Sequence, residues 1–259
     1  LAELLREADR SPGDLRAWAH GDAPAAGALL RRAGFAPART LFRLALDPAR
    51  LPAAIAGARS MPEGFAARAF DAADPAQAEA WVRVNAAAFA AHPEQGALTR
   101  ADFDALTREA WFDPSDLILA FDETAGGPAA APRPRLAGFT WIKTTRDDGA
   151  GVESELYALG VDPAYAGRGL GAALLGETLR QMREHRPDRI TLYVDGDNAN
   201  ARALYDRAGF AIDHSEASLY LWATRGEGCW ETVDWFAQRG ILADEIGQGD
   251  QAKPDRLDA

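Results

Sequence analysis

The sequence predicts an α/β fold, in the α+β sense of a mixed central sheet flanked by helices. Three observations carry that reading. Strand-like and helix-like segments alternate from Phe65 to Trp222. Among them, an apolar strand ending at Val161 passes through a short Pro-containing loop and a glycine cluster into an apolar helix. Finally, residues 21–35 match residues 196–210 without a gap, Gly21 falling on Gly196, an offset of 175. Leu4, Pro12 and Leu15 match Leu179, Pro187 and Ile190 at the same offset, so the chain carries an internal repeat.

Taken in order, residues 1–10 place Leu1, Leu4, Leu5 and Ala8 at helical spacing, and Ser11-Pro12-Gly13-Asp14 breaks that helix. A short strand is expected over 15–19. Asp22 caps a helix over 23–33, with Pro24 in its first turn and Gly34 at its end. Residues 38–46 alternate in part and predict a strand. The Ala- and Pro-rich stretch 47–63 reads as a connector with a short helix, and a boundary falls near Met61. A strand over 65–70 precedes a helix opened by Asp74-Pro75 and running to about Ala91, with Trp81, Val84, Ala88 and Phe89 on its apolar face. Thr99 caps the next helix, with Phe103, Leu106 and Ala110 inward. Strands are expected over 117–121, 136–144 and 153–161, with a Gly-, Pro- and Ala-rich loop at 126–134. A helix to about His185, a strand over 189–194, a helix over 200–208 and a strand over 217–222 complete the pattern. Beyond Ala223, an amphipathic helix at 230–237 and disorder from Gly247 are expected.

The repeat implies one complete unit and the C-terminal third of another. Residues 1–60 are then a partial N-terminal unit with its connector, 61–223 the complete unit, and 224–259 a tail. The first unit's glycine loop would precede Leu1. Tyr205, Asn198 and Asn200 correspond to Leu30, Ala23 and Ala25, so the first unit is expected to be structural.

The 259 residues are 47% hydrophobic, enough for a sizeable core, and carry 39 acidic against 28 basic side chains for a net charge of −11. Such a chain lacks the basic field of a nucleic-acid binder. An anionic ligand would be held by local backbone donors and a few Lys or Arg. The single cysteine, Cys229, excludes an intrachain disulfide and fits a reducing, cytoplasmic setting. No apolar run approaches the roughly 20 residues of a membrane span, and no signal peptide is read. The chain opens without Met and reads as a fragment or trimmed product. His20, His92, His185 and His214 show no metal-ligand spacing, so no metal is expected.

Gly167-Arg168-Gly169-Leu170-Gly171-Ala172 sits where the loop becomes the helix. First-turn N–H groups have no intrahelical partner and carry the positive end of the helix dipole, which makes an anion site. The run also satisfies G-x-G-x-x-A, a dinucleotide fingerprint. In a dinucleotide site, however, the glycines follow the first strand almost directly; here Asp162-Pro163-Ala164-Tyr165-Ala166 intervenes. A phosphate-binding P-loop is excluded, because no Gly-Lys-Ser/Thr follows. Glycines used only for a tight turn and close helix packing are the plain alternative.

The combination V-D-P-x-x-x-G-x-G-x-G at 161–171 resembles the first signature of the GCN5-related N-acetyltransferase (GNAT) family. Asn198-Ala199-Asn200-Ala201-Arg202-Ala203-Leu204-Tyr205 with Ala208-Gly209-Phe210 is similar to its second, and the order of elements from Phe65 to Trp222 fits throughout. The resemblance implies a tandem GNAT fold and acetyl-CoA as cosubstrate. It implies that Leu159, Gly160 and Val161 pair with the pantetheine arm, and that Ala166, Gly167, Arg168, Gly169, Leu170, Gly171 and Ala172 hold the pyrophosphate. Ala166 replaces the family's usual Gln or Arg, and Arg168 keeps a positive charge. Asn198, Ala199, Asn200, Ala201, Arg202 and Ala203 would contact the coenzyme beside the thioester.

Further features resemble the family's tandem members that acetylate the cysteinyl amine of a glucosamine–inositol precursor. They include Val84-Asn85, His92-Pro93-Glu94-Gln95-Gly96, Trp111-Phe112-Asp113-Pro114, Gly138-Phe139-Thr140-Trp141-Ile142-Lys143 and Trp18-Ala19-His20-Gly21-Asp22. By that resemblance Glu94, Lys143, Glu155 and Tyr193 line the acceptor site. The implied partner is a small-molecule amine, with neither nucleic acid nor membrane, and a monomer is expected.

Residue chemistry supports an account of the reaction. An incoming ammonium must lose a proton before attacking a thioester; Glu155 can accept it, directly or through water. The splayed strand's N–H groups can polarise the carbonyl, and Tyr205 can protonate the leaving thiolate. Each assignment has a plain competitor: a solvated strand-end charge for Glu155 or Lys143, a loop cap for Glu94, core packing for Tyr205 or Tyr193. Two rival functions stay open, a GNAT enzyme for another small amine or a peptide N-terminus, and a non-catalytic acyl-CoA binder.

Overall fold

Residues 16–20, 24–32, 35–90, 95–125, 134–147 and 149–222 are described by a computed structural model. The helix expected over 1–10, most of the loop at 126–134, residues 91–94 and the tail lie outside the described residues. In chain order the elements are β1 (Arg16–His20), α1 (Pro24–Arg32), β2 (Phe35–Leu46), α2 (Leu51–Ala56), β3 (Phe65–Ala69), α3 (Pro75–Ala88), α4 (Arg100–Leu106), β4 (Leu117–Asp122), β5 (Arg135–Asp147), β6 (Gly151–Val161), α5 (Leu170–His185), β7 (Arg189–Asp195), α6 (Ala199–Arg207) and β8 (Ala211–Trp222).

Helix starts follow local chemistry. Asp74 accepts a hydrogen bond from Ala76 N, with Pro75 in the first turn of α3. Thr99 and Asp102 form a reciprocal capping box on α4. That helix stops at Leu106, so Ala110, expected inward, is exposed. The α3 helix ends at Ala88, with Phe89 as its cap.

The strands form one eight-stranded sheet in the order β1-β8-β2-β7-β6-β5-β4-β3. Among the described strands only the β6–β7 pair is parallel, as a crossover through α5 requires. β2 starts at Phe35, three residues before the sequence suggests. Pro37 argues against a central strand, but residues 35–40 pair with β8 alone, and a bulge between Pro37 and Arg39 absorbs the missing donor. β8 starts at Ala211, six residues early, because its polar stretch at 213–216 hides the alternation.

The repeat is visible in the elements. An offset of 175 carries α1 onto α6 end to end, and β2 onto β8 within one residue. The β2–β8 pairs Leu41↔Ala217 and Phe42↔Glu216 exchange under the same offset, so a local dyad lies between them. β2 thereby stands next to β7, and β8 next to β1. The two copies interleave their last strands rather than stand side by side.

Two apolar clusters cover the two faces of the sheet. Leu175, Leu179 and Met182 of α5 pack with Leu44, Ile142, Leu156, Leu192, Tyr205 and Phe210. On the other face Trp81 of α3 and Phe103 of α4 pack with Phe139 and Trp141, and Trp81 meets Trp141 edge-on at 5.4 Å. Aromatic pairs in that geometry add about 0.5–1.5 kcal/mol to their burial. Among the described residues no helix is long and apolar enough to cross a membrane.

Candidate active site

The site begins with a bulge. Trp141 pairs with Ala158 and Ile142 with Leu156, which leaves Tyr157 as an extra residue in β6. The bulge resets the alternation of faces. Before it, Leu156 points into the α5 cluster, so Glu153 and Glu155 point to the α3 side. After it, Ala158 joins the α3 cluster and Leu159 packs on the α5 side. The β6–β7 ladder runs only from Glu153↔Arg189 to Leu156↔Leu192. Past Leu156, β6 keeps its β5 partner but no longer pairs with β7, so the sheet opens at Leu159, Gly160 and Val161.

A row of polar side chains crosses the α3 face beside this opening. Lys143 on β5 is the ladder partner of Glu155, and Glu155 is that of Thr191 on β7. Tyr193, two residues along β7, is 46% exposed and pairs with Arg43 of β2. Lys143 Nζ lies 5.6 Å from the ring centre of Trp111, which packs against Tyr157. Arg43 donates from Nη2 to Glu153 Oε1 at 2.6 Å and from Nη1 to Asp213 Oδ2 at 2.7 Å. Thr191 Oγ1 donates to the same Glu153 oxygen at 2.8 Å.

These neighbours treat the two carboxylates differently. Burial pushes Glu155 above the usual carboxylate range; Lys143 opposes the rise, Glu153 adds to it and Arg43 opposes it. Burial would also raise Glu153, but the hydrogen bonds from Thr191 and Arg43 hold it below its ordinary value. The hydrogen bonds thus favour the charged form of Glu153, whereas burial disfavours that of Glu155.

At the end of β6, Asp162 caps a short turn by accepting from Ala164 N at 2.9 Å. Gly167 and Gly169 follow with φ of +77° and +84°, a backbone that favours glycine. A Cβ on Gly167 would have no heavy atom within 4 Å, so the loop faces open space. The first turn of α5 then starts with Leu170, Gly171 and Ala172, and its first internal bond is Ala173 N to Gly169 O. Ala166 and Arg168 are exposed, and the Arg168 guanidinium stacks 5.1 Å from the Tyr165 ring. A cleft of about 590 Å³ opens here, lined by residues 58–63 with Arg168 and Gly169. Backbone donors at a helix start, two left-handed glycines and flanking Arg59 and Arg168 fit a pyrophosphate.

The second signature lies close by. A Cβ on Gly171 would be 3.9 Å from Leu204 of α6 and 4.0 Å from Val161 of β6. Asn198 caps α6 by accepting from Ala201 N at 3.0 Å. Arg202 donates to Gly196 O at 3.0 Å and stacks over Phe42. Ala199, Asn200 and Ala203 are exposed. Tyr205 is 7% exposed within the α5-side cluster, and burial pushes its hydroxyl up to about 12. It therefore stays protonated, on the face of the sheet opposite Glu155.

Of the residues singled out in the sequence, Lys143, Glu155 and Tyr193 share one face, Leu159–Val161 lie where β6 leaves β7, and the helix start at Gly171 lies against Val161 and against Leu204 of α6, the helix that Asn198 caps. Glu94 lies outside the described residues. The residue after it, Gln95, is fixed by buried Asn85, whose Nδ2 donates to Gln95 O at 2.5 Å and whose Oδ1 accepts from Gln95 Nε2 at 3.1 Å. Sequence reasoning missed Arg43, Glu153, Thr191, Asp213 and Arg59. The one signal available for Arg43 was a single charge inside the apolar run Leu41-Phe42-Arg43-Leu44-Ala45-Leu46.

Comparison with known proteins agrees with this geometry. A family model described as Acetyltransferase (GNAT) family matches residues 86–210. The chain is 47% identical over 210 residues to a mycothiol acetyltransferase of Clavibacter sepedonicus, and 47% identical over 212 residues to one of Kineococcus radiotolerans. These alignments cover 81% and 82% of the chain and 62% of each relative, so the chain spans under two thirds of their length. In fold it is similar to a tandem GNAT protein from the clavulanic acid biosynthesis pathway, with a TM-score of 0.61 at 16% identity over 84% of this chain and 66% of that one. On the family model and these relatives, this chain belongs to the GNAT family of acetyltransferases.

Proposed function

We propose that the chain transfers acetyl from acetyl-CoA to a primary amine, and that the acceptor is the cysteinyl amine of desacetylmycothiol, which makes the reaction the final step of mycothiol assembly. The observation that carries the transfer is Glu155, a carboxylate raised by burial beside the point where β6 leaves β7. The relatives named mycothiol acetyltransferase support the acceptor.

Acetyl-CoA supplies an acyl group activated as a thioester. The glycine loop and the first turn of α5, with Arg168 and Arg59, hold its phosphates. The backbone of Leu159, Gly160 and Val161 orients the acyl arm and polarises its carbonyl. Glu155 takes one proton from the acceptor ammonium, the neutral nitrogen forms the new C–N bond as the C–S bond breaks, and the second proton shed by that nitrogen passes through water to replace the one Tyr205 gives up. Tyr205 gives its proton to the departing sulfur from the other face of the sheet. Lys143 and Tyr193 position the acceptor's hydroxyl groups on the α3 face, and Glu94 is assigned to the acceptor by the family resemblance alone.

Free-thiol release from acetyl-CoA, measured against a panel of amines, tests the acceptor. Release fastest with cysteinyl-glucosaminyl-inositol is expected. Equal or faster release with cysteine-free amines or peptide N-termini would replace the acceptor. No release with any amine, alongside tight acetyl-CoA binding, would leave an acyl-CoA binder.

A further inference from the structure

Arg43 belongs to the first copy of the repeat, yet β2 carries it into the centre of the sheet between β7 and β8. Its side chain is only 13% exposed, and its guanidinium forks between carboxylates on two other strands, Glu153 of β6 and Asp213 of β8. It reaches Glu153 across β7, where Thr191 donates to the same carboxylate oxygen and Tyr193 is the ladder partner of Arg43. A fork that serves two separate carboxylates suits arginine and not lysine. Among the described residues the Nε of Arg43 has no hydrogen-bond partner although buried.

Glu153 is the reason the clamp matters. It lies two residues from Glu155 on the same strand and face. Like charges at that spacing disfavour ionisation of the second group. The charged and titratable groups around Glu155 are Lys143 from β5, Glu153 from its own strand, Arg43 from β2, Tyr193 and Arg189 from β7, and Asp213 from β8. Among the described residues Lys143 is the other cation that acts on Glu155, and it lies on the opposite side of β6 from Arg43.

We propose that Arg43 is a positioning residue for acetyl transfer: by holding Glu153 between β2 and β8 it screens Glu155 from a second carboxylate and keeps Glu155 able to accept the amine's proton near neutral pH. The inference rests on Glu155 being the base. It makes the first copy of the repeat part of the site, not a structural remnant.

The test follows the Glu155 carboxyl directly, by ¹³C NMR titration of glutamate-labelled protein, with E155Q assigning the signal, beside the pH profile of kcat/KM. R43M is expected to raise the Glu155 midpoint by about one pH unit, as an opposite charge is lost next to a like one. E153Q is expected to lower it, and the double variant R43M/E153Q to return it near the wild-type value. R43K, which keeps the charge without the fork, is expected to lie between wild type and R43M. A purely structural clamp predicts no return in the double variant. Unchanged midpoints in R43M and E153Q would overturn the proposal even with acetyl transfer intact. Should R43M fail to fold, E153Q and R43K decide. Midpoints that move as expected, with no amine acetylated, would overturn the acetyltransferase reading and the catalytic role of the clamp with it.

Discussion

Lys143 and Glu155 are direct partners in the antiparallel β5–β6 ladder, one pair before the bulge at Tyr157. Both side chains therefore leave the same face, and Lys143 restrains the rise that burial imposes on Glu155. A base works only when deprotonated, so activity climbs as pH rises through the Glu155 value. K143M removes the restraint and should move the acid limb of kcat/KM upward by roughly one pH unit. Initial rates from pH 5 to 9 measure it. An unmoved limb would separate Lys143 from the base.

Tyr205 stands on the other face, buried against the α5 cluster, with its hydroxyl pushed up to about 12. It should contribute no falling limb to the pH profile until that value is approached. Y205F keeps the packing and removes the proton, so kcat should fall by roughly 100-fold with the melting temperature nearly unchanged. An unchanged kcat would return Tyr205 to the core.

Much of this arrangement is legible from residues alone. The helix starts at Asp74 and Thr99 lie where local sequence places them. The repeat offset predicts α1 from α6 to the residue. What sequence could not give is tertiary. Arg43 meets Glu153 110 positions away and Asp213 170 positions away, and no local pattern encodes either contact. The same holds for β8, where Asp213-His214-Ser215-Glu216 interrupts the apolar pattern although Ala211, Ile212 and Glu216 pair with β2 on either side of an irregularity. The bulge at Tyr157 also left no trace, since Leu156-Tyr157-Ala158 reads equally well as uninterrupted strand.

The two left-handed glycines separate strain from ligand contact. G167A and G169A each force a side chain into positive φ, at about 1–2 kcal/mol. On Gly167 the new methyl also enters the open space before the helix start, whereas on Gly169 it meets Arg59 Nη1 at 3.5 Å. G167A should therefore weaken acetyl-CoA binding more than it lowers stability, read by calorimetry and thermal melting. Equal binding in wild type and G167A would move the phosphates away from this loop.

Asp116 offers a control distant from the chemistry. It is 1% exposed and accepts from Gln181 Nε2 at 2.9 Å and pairs with His185 Nε2 at 2.7 Å, fastening the end of α5. D116A removes the His185 contact and leaves Gln181 only its longer bond to Ser115 Oγ at 3.3 Å, and should cost about 1–3 kcal/mol in denaturant unfolding. Its kcat at 25 °C should match wild type; a large loss of kcat without loss of stability would contradict the assignment.

The most direct test of the account counts released coenzyme thiol and acetylated product in one reaction, with cysteinyl-glucosaminyl-inositol as acceptor, for wild type and E155Q. The account predicts one N-acetyl group on the cysteinyl nitrogen per thiol released, and a loss of at least about 100-fold in E155Q with acetyl-CoA binding unchanged. Full turnover in E155Q, or acetyl-CoA bound by wild type with no amine acetylated, would contradict it.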